Sequence, residues 1–316
     1  MNRSARFLAT SLLVVCCCAN SANAKPMLST IVASTRGTAQ AIAVGDLNHD
    51  GRPDIVTANR SSNDVSILLQ GSDGRPRDAQ KIVAGLMPFD VAIADLDGDG
   101  HRDLVTANAG PGANSVSLLM GHGDGTFSAP VYVPVGTEPR SVAVGDLNGD
   151  GRPDIVTANY TSNNITVLTR TAGGSYTPFN YATVTNGNPQ VVALAQMDDD
   201  GRLDIVVGFA SSDVGSVLVL YNPNFSTRVF VNAGGYLYDF AIADMNQDGR
   251  NDLVIAGQSN RIVLGTGNRT FAPATGIAMP GARLVAADFD ADGKLDLAAP
   301  DAVGFGNGDG SIGAVR

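Results

Sequence analysis

The sequence contains no tryptophan, a single glutamate (Glu138), three histidines and only three cysteines. The cysteines are consecutive, Cys16 to Cys18, and lie in a short apolar stretch near the N-terminus. Without that stretch the chain has no thiol, which excludes a disulfide-bonded scaffold and a cysteine-ligated zinc site. No Gly-x-Ser-x-Gly, His-Glu-x-x-His or phosphate-binding loop occurs, so the known sequence signatures of catalysis are missing as well.

The first 24 residues have the order of parts of an export signal. Arg3 and Arg6 supply the positive start, an apolar run follows, and Ala22-Asn23-Ala24 offers a cleavage site before Lys25. The apolar run is too short to span a membrane, and no later segment approaches the required length. We therefore expect a cleaved signal peptide over 1–24, a single domain over 25–316, and a secreted protein, whether extracellular, periplasmic or at the cell surface.

The exported part is strongly acidic. Removing Arg3 and Arg6 from the 21 basic residues leaves 19 against 31 acidic residues, a formal charge of −12. This balance argues against binding to nucleic acid or to anionic membrane surfaces. Thirty of the 31 acids are aspartate, which indicates that short carboxylates are needed for their geometry.

A nine-residue pattern, "DLNHDGRPD" in its first copy, recurs along the chain. Its copies start at Asp46, Asp95, Asp146, Gln196, Asp244 and Asp288, with spacings of 49, 51, 50, 48 and 44 residues. Each copy is preceded by one short apolar run and followed by two more and a fourth segment. Runs of four to seven residues rich in Val, Ile and Ala, bounded by Gly, Asn, Asp and Pro, predict β-strands.

Four strands per repeat of this length predict an all-β fold, a β-propeller of six four-stranded blades. Seven blades remain the alternative if the ends hide a degenerate repeat. The last repeat is short, and Met27–Ser34 resembles a fourth strand that arrives before the first repeat. We therefore expect this N-terminal strand to complete the last blade and to close the ring.

Within each copy, oxygen-bearing side chains occupy positions 1, 3, 5 and 9, with glycine at position 6. Such alternation is typical of calcium, a hard cation with many oxygen ligands. The backbone carbonyl of position 7 would add another ligand, with its side chain in solvent. In the order 1, 3, 5, 7 and 9, the predicted ligands are Asp46, Asn48, Asp50, Arg52 and Asp54; Asp95, Asp97, Asp99, His101 and Asp103; Asp146, Asn148, Asp150, Arg152 and Asp154; Gln196, Asp198, Asp200, Arg202 and Asp204; Asp244, Asn246, Asp248, Arg250 and Asp252; and Asp288, Asp290, Asp292, Lys294 and Asp296.

Helical calcium motifs are excluded because position 12 is never acidic and strands flank every loop. The plainer alternative is that these aspartates only cap turns, which explains one aspartate per loop but not several at fixed spacing. The fourth loop begins with Gln196, an uncharged amide, so we expect up to six calcium ions with the weakest or empty site at 196–204.

The nine-residue loops, together with "GHGDGTFSAP" (121–130) and "GTGNRTFAP" (265–273), resemble the FG-GAP/VCBS repeats that are shared with the integrin α-subunit propeller. The resemblance covers essentially all of 27–316. It implies a propeller of an extracellular or surface protein that binds a partner, and some members are lectins. The integrin propeller has seven blades.

A candidate partner face lies opposite the calcium loops, where the repeats differ from one another. Polar and aromatic variety on a rigid scaffold favours binding there, although ordinary solvated turns explain it equally well. The candidate residues are Gln40, Phe89, Asp90, Arg140, Gln190, Tyr236, Tyr238 and Arg283.

These features favour a monomeric, calcium-stabilised, non-catalytic module for adhesion or for binding a protein or surface partner. The alternative is a lectin-like propeller or a non-catalytic part of a polysaccharide-processing system. The absence of tryptophan weakens that alternative, although tyrosines can stack on sugars. An enzyme remains a third possibility, because propellers can assemble chemistry from scattered loops.

Overall fold

A computed structural model of the chain describes residues 39–77, 79–183, 187–211, 217–232 and 234–316. Within these ranges the ordered elements are all β-strands. No helix of sufficient length and apolarity to cross a membrane is found in these parts of the chain. The described residues of Ile31–Val192 form one compact unit, and those of Ala193–Arg316 form a second. The expectation of a single domain over 25–316 stays a prediction.

The first unit holds three four-stranded sheets in which the strands follow one another in chain order. The first sheet is β1 (Ala39–Gly45), β2 (Asp54–Asn59), β3 (Asp64–Leu68) and β4 (Gln80–Val83). The second is β5 (Pro88–Ala94), β6 (Asp103–Asn108), β7 (Ser115–Leu119) and β8 (Val131–Pro134). The third is β9 (Pro139–Gly145), β10 (Asp154–Asn159), β11 (Asn164–Arg170) and β12 (Tyr176–Ala182).

Three further four-stranded sheets follow, and the boundary between the units falls inside β13. The fourth sheet is β13 (Pro189–Ala195), β14 (Asp204–Phe209), β15 (Val217–Tyr221) and β16 (Thr227–Val231). The fifth is β17 (Leu237–Ala243), β18 (Asp252–Gly257), β19 (Arg261–Val263) and β22 (Thr275–Gly276), with a small hairpin of β20 (Gly265–Gly267) and β21 (Thr270–Phe271). The sixth is β23 (Val285–Ala287), β24 (Asp296–Ala299), β25 (Ala302–Gly306) and β26 (Ile312–Val315).

The paired strands of the described residues run antiparallel, as expected for strands joined by short turns. The second strand of most sheets is buried along its whole length, since apolar residues alternate between two neighbouring sheets. In β6, Leu104 packs in a cluster with the first sheet, whereas Val105 and Ala107 pack in a cluster with the third. Burial on both faces explains why these strands are almost continuously apolar.

The repeated four-stranded architecture confirms the all-β prediction at the level of sheets. The last repeat differs from expectation, because β26 lies beside β25 as a fourth strand, with Gly306 paired to Ile312. The expectation that the last repeat lacks this strand is therefore wrong. Met27–Ser34, predicted to fill that place, lies outside the described residues.

The aspartate at position 9 of each loop begins the second strand and ties three parts of its sheet together. In the fifth sheet, Asp252 is fully buried. Its Oδ2 accepts the N–H of Met245 in the loop at 2.8 Å, and its Oδ1 accepts the N–H of Gly265 after β19 at 2.8 Å. Because a buried carboxylate needs hydrogen bonds to offset its loss of hydration, these two bonds fix the side chain in one place.

The same two-bond clamp occurs in all six sheets, at 2.7 to 3.1 Å, and links the residue at loop position 2 with the last residue of the third strand or a residue one or two positions after it. The sets are Asp54 with Leu47 and Gln70, Asp103 with Leu96 and Gly121, Asp154 with Leu147 and Arg170, Asp204 with Met197 and Asn222, Asp252 with Met245 and Gly265, and Asp296 with Phe289 and Gly306. In the second sheet the backbones of Gly121 and Arg102 approach so closely that a Cβ on Gly121 would lie 2.2 Å from the carbonyl oxygen of Arg102. A glycine is therefore required there.

Replacing one clamp carboxylate by its amide tests this function. In an Asp252→Asn variant the side-chain nitrogen cannot accept, so one buried backbone N–H loses its partner. We expect the free energy of unfolding to fall by about 1–3 kcal/mol. Denaturant unfolding in excess chelator measures this loss without any contribution from metal. Asp301→Asn, at an exposed turn in the same unit, is the control, and an equal loss in both variants would contradict the clamp.

Candidate metal centres

The loop between the first and second strands is folded by its own carboxylates and amides. In the first loop, the Oδ2 of Asp46 accepts the N–H of Gly51 at 2.9 Å. The Oδ1 of Asn48 accepts the N–H of Asp50 at 3.2 Å, and the Oδ1 of Asp50 accepts the N–H of Arg52 at 2.9 Å. Each bond uses one lone pair of an oxygen, so the remaining lone pairs are free to bind a cation.

These bonds recur along the chain. In all six loops the backbone N–H of position 5 donates to the side chain of position 3, and the backbone N–H of position 7 donates to the side chain of position 5. Glycine at position 6 is in the left-handed region in all of them, with φ between +78° and +89°. The glycine N–H then reaches the carboxylate at position 1 in the five loops that have aspartate there. Glycine adopts this backbone conformation without steric cost, which explains its fixed place in the pattern.

The predicted ligands converge in space. In the second loop, oxygens of Asp95, Asp97 and Asp99 lie within 4.8 Å of one another. In the sixth loop, oxygens of Asp288, Asp290 and the buried Asp296 do so too. The sixth loop thus brings position 9 together with positions 1 and 3, as the spacing predicts.

Burial and crowding of charge act on the carboxylate at position 9. Burial raises the pKa of Asp54, its backbone hydrogen bonds lower it, and the charges of Asp50 and Asp46 raise it again. For Asp204, burial is the main cause of a pKa raised to about 6. Burial also raises the pKa of Asp103, Asp154 and Asp252. In these five loops, burial first and the neighbouring aspartates after it disfavour the charged form of the position-9 carboxylate.

Side chains at position 7 are less solvated than the sequence suggests. Arg52 and Arg152 form ion pairs with the outer oxygen of the aspartate at position 5 in their own loops. Arg250 and Lys294 do the same at 3.5 and 3.1 Å. His101 differs, because its Nδ1 lies 3.0 Å from the Nε2 of His49 in the neighbouring loop.

The fourth loop departs from the others in its charges. Gln196 is an exposed amide at position 1, and the carboxylate of Asp198 at position 3 is ion-paired with Arg269 of the next repeat at 2.7 Å. Nothing in the nine-residue pattern points to Arg269. Its signal is the sequence "GTGNRTF", where "GHGDGTF" of the second repeat has glycine in place of the arginine.

The donor set of five loops fits calcium. It consists of carboxylate, amide and carbonyl oxygens at alternating positions, and the side chains at positions 1, 3, 5 and 9 include neither thiolate nor imidazole nitrogen. In the fourth loop the fit is poorer, since the position-1 carboxylate is replaced by an amide and the position-3 carboxylate is 3% exposed and covered by Arg269 of the next repeat.

Part of the candidate partner face forms a cluster in the first unit. The guanidinium of Arg140 lies 5.6 Å from the ring centroid of Phe89 and 3.3 Å from that of Tyr160. Its Nη2 donates to Glu138 at 2.6 Å. Arg60 lies 5.7 Å from the same Phe89 ring, and its buried Nε has no hydrogen-bond partner within the described residues. Sequence reasoning found Phe89 and Arg140 but missed Arg60 and Tyr160, which follow the second strands of their sheets.

Other members of that face do not join the cluster. Gln40 and Asp90 are only 7% and 1% exposed, and Asp90 accepts the N–H of Val142 at 2.9 Å. Both are therefore structural residues, which removes them from the candidate surface. Gln190 and Arg283 are half-buried. In the second unit, Tyr236 and Tyr238 are 49% and 46% exposed, and Tyr238 lines an open groove with Arg261 and Met279.

Solved structures show the same fold at low identity, and no curated protein matches the chain. One similar structure is a protein of Bacteroides uniformis provisionally named a 6-phosphogluconolactonase, with 14% identity and a TM-score of 0.57, covering 86% of this chain and 80% of that one. Another, from Bacteroides fragilis and provisionally given the same name, has 17% identity and a TM-score of 0.50, covering 75% of this chain and 79% of that one.

These neighbours contradict the prediction of a non-catalytic adhesion or lectin-like module, and with it the prediction that the chain is not an enzyme. Both carry the name of an enzyme, and neither is named for adhesion or carbohydrate binding. At such identities the likeness shows the fold alone, so it neither supplies an activity nor supports the non-catalytic role.

The family follows from the repeats themselves. A family model described as an FG-GAP-like repeat matches residues 46–106, 95–157, 146–207, 197–255 and 244–299, which together span most of the chain. Each match runs from one Asp-rich loop into the second strand of the next sheet. The chain therefore belongs to the FG-GAP-like repeat family.

Proposed function

We propose that this chain is a calcium-binding β-propeller of six blades, in which each calcium ion holds together the corner between the first and second strands of one blade. The observation that carries the proposal is the convergence of oxygens from positions 1, 3 and 5 in the second loop and from positions 1, 3 and 9 in the sixth, both folded by their own hydrogen bonds. Six four-stranded sheets in the described residues support the count of six blades.

The physical reason for a cation is electrostatic. Two carboxylates about 4 Å apart repel each other by roughly 1–4 kcal/mol at surface-like dielectric constants. The metal-free loop bears this repulsion, and the unfolded chain does not. An ion that binds only the folded state stabilises it by roughly 4 kcal/mol per site at a thousandfold excess over its dissociation constant.

Calcium is therefore expected to raise the melting temperature of the protein, and chelation to lower it. Asp95→Ala, which removes the position-1 carboxylate of the second loop, should reduce the calcium-induced shift in melting temperature. Differential scanning calorimetry with calcium and with chelator measures both effects.

The matched control is Asp124→Ala. Asp124 also accepts a backbone N–H in an exposed turn, that of Thr126 at 2.8 Å, but it lies outside the nine-residue loops. Its removal should leave the calcium-induced shift unchanged. Identical melting of the unmodified protein in calcium and in chelator would refute the proposed function.

We further propose that the protein is exported and that its signal peptide is removed before Lys25. The order of positive, apolar and small residues in 1–24 supports this proposal. Intact-mass analysis of protein collected from the exported fraction should give a chain that begins at Lys25. A mass that retains residues 1–24 would contradict it.

A second candidate function is the hydrolysis of a sugar-acid lactone, the reaction that the names of the two neighbours imply. The specific observation in its favour is the Arg60–Arg140–Glu138 cluster, not the likeness of fold. Two guanidinium groups beside one carboxylate leave a positive charge that suits the phosphate of a phosphorylated sugar acid.

This candidate is tested with 6-phosphogluconolactone in a pH-stat, against the uncatalysed rate. Catalysis that depends on the cluster should fall by about tenfold or more in Arg140→Gln, because a charge-assisted hydrogen bond is worth about 1.5–3 kcal/mol. Arg75→Gln, at an exposed turn of the same unit, should retain the rate. A rate equal to that of buffer alone would eliminate the candidate.

A further inference from the structure

The fourth loop receives a cation from the protein itself. The Nε of Arg269 donates to the Oδ2 of Asp198 at 2.7 Å, and the Asp198 side chain is only 3% exposed beneath it. Position 3 is exposed in the second, third and sixth loops. Arg269 therefore covers the oxygen that would have to reach the metal.

Two further contacts hold the guanidinium in that place. It lies 4.9 Å from the ring centroid of Tyr221, which is 1% exposed, and its Nη1 lies 3.5 Å from the hydroxyl of Thr227. A buried aromatic face and a hydrogen bond on opposite parts of one side chain restrict its rotamers. The ion pair is thus built into the sheet and is not a loose surface contact.

Arg269 also stands where the equivalent hairpins carry glycine. In the second and sixth repeats the corresponding residues are Gly125 and Gly310, with φ of +85° and +84°. A Cβ on either glycine would lie 2.7 Å from the Leu69 or Leu264 side chain of the preceding repeat. Arg269 holds the left-handed conformation as well, with φ of +63°, although this region is unfavourable for a residue with a side chain.

The residues of the preceding repeat complement this exchange. Tyr221 is equivalent to Leu69 and Leu264, because each directly follows the third-strand residue that pairs with the second residue of the second strand. A flat ring therefore replaces a branched side chain and leaves a path for the arginine. Gln196 replaces the aspartate at position 1, which lowers the negative charge that one guanidinium must balance.

The fifth repeat makes two more contacts with the fourth loop. The Nε of Arg250 lies 3.3 Å from the Oδ2 of Asp199, and the Nδ2 of Asn251 donates to the carbonyl oxygen of Gln196 at 2.8 Å. The fourth loop is therefore tied to the fifth loop by an ion pair and a hydrogen bond, in addition to the contact from Arg269.

From this geometry we infer that Arg269 is the resident cation of the fourth loop, so that the native protein binds calcium in five loops and none in the fourth. The inference rests on the proposed calcium function for the five other loops. For the fourth loop it narrows the expectation of a weakest or empty site to an empty one, in which an internal ion pair excludes the metal.

Replacement of Arg269 by the glycine of the equivalent hairpins tests this inference. Arg269→Gly removes the cation and also relieves the backbone, and Gln196→Asp restores the missing carboxylate. Bound calcium is measured by equilibrium dialysis and atomic emission for each variant and for the double variant. We expect the double variant to bind one more calcium ion than the unmodified protein, and Gln196→Asp alone to bind no more.

A stability measurement separates metal exclusion from a simple packing role. In chelator, Arg269→Gly should lower the melting temperature, because Asp198 loses its partner. Calcium should restore the melting temperature in the double variant by filling the fourth loop. A purely structural arginine would give the same loss with and without calcium. Lys81→Gln, which removes an ion pair with Asp64 outside the nine-residue loops, is the control and should leave the number of bound ions unchanged.

The outcomes distinguish the inference from the proposed function. Six ions in the unmodified protein, or no additional ion in the double variant, would overturn the role of Arg269. No calcium in the unmodified protein together with one ion in the double variant would overturn the proposed function and uphold the role of Arg269. Absence of calcium from both proteins would overturn the two together.

Discussion

The buried carboxylate at position 9 is the constraint on which the rest of this structure depends. It lies at the start of the second strand, accepts one N–H from the loop and one from the end of the third strand or just after it, and does so in all six sheets. The clamp sets the path of the loop, and the path of the loop sets where the other oxygens can lie. A carboxylate fixed in this way is costly to bury and is crowded by its neighbours. Burial is the main cause of the raised pKa of Asp54, and the charges of nearby aspartates add to it.

The same crowding connects the fold to its proposed function. A loop that gathers several carboxylates is stabilised by positive charge beyond that of its own position-7 side chain, and we propose two sources for it. In the five loops with aspartate at position 1, we propose that the charge comes from calcium. In the fourth, a guanidinium from the neighbouring repeat lies on the carboxylate. In this account the repulsion between carboxylates is offset either by a calcium ion that can dissociate or by an arginine of the chain itself. Only the calcium ion makes the stability of the protein depend on the calcium concentration around it.

Sequence reasoning predicts the repeated units of this molecule well. The spacing of the Asp pattern and the short apolar runs predict the four strands of each sheet, and the alternation of oxygens predicts which side chains converge, as at Asp95, Asp97 and Asp99. These features are local, because a turn and its flanking strands are determined by adjacent residues. The clamp bond to Gly265 and the ion pair of Arg269 to Asp198 join residues far apart in sequence, and no spacing rule points to them.

The last repeat and the candidate partner face show the same limit of prediction from local sequence. The short final segment suggests a missing strand, yet Ile312 pairs with Gly306 and supplies one. Asp90 has the polarity of a surface residue but is buried against Val142 of the next sheet. Polar character alone does not reveal whether a side chain faces solvent or a backbone N–H. The adhesion hypothesis failed for a related reason, since a scaffold shared by many proteins does not specify its ligand.

The most direct test is anomalous diffraction from crystals of the unmodified protein grown with calcium, at a wavelength where calcium scatters anomalously. We predict peaks about 2.3–2.6 Å from the oxygens at positions 1, 3 and 5 in five loops, and the guanidinium of Arg269 on Asp198 in the fourth. Crystals with no peak at any loop would contradict the calcium-held corner, and a peak between Gln196 and Asp204 would contradict the internal cation.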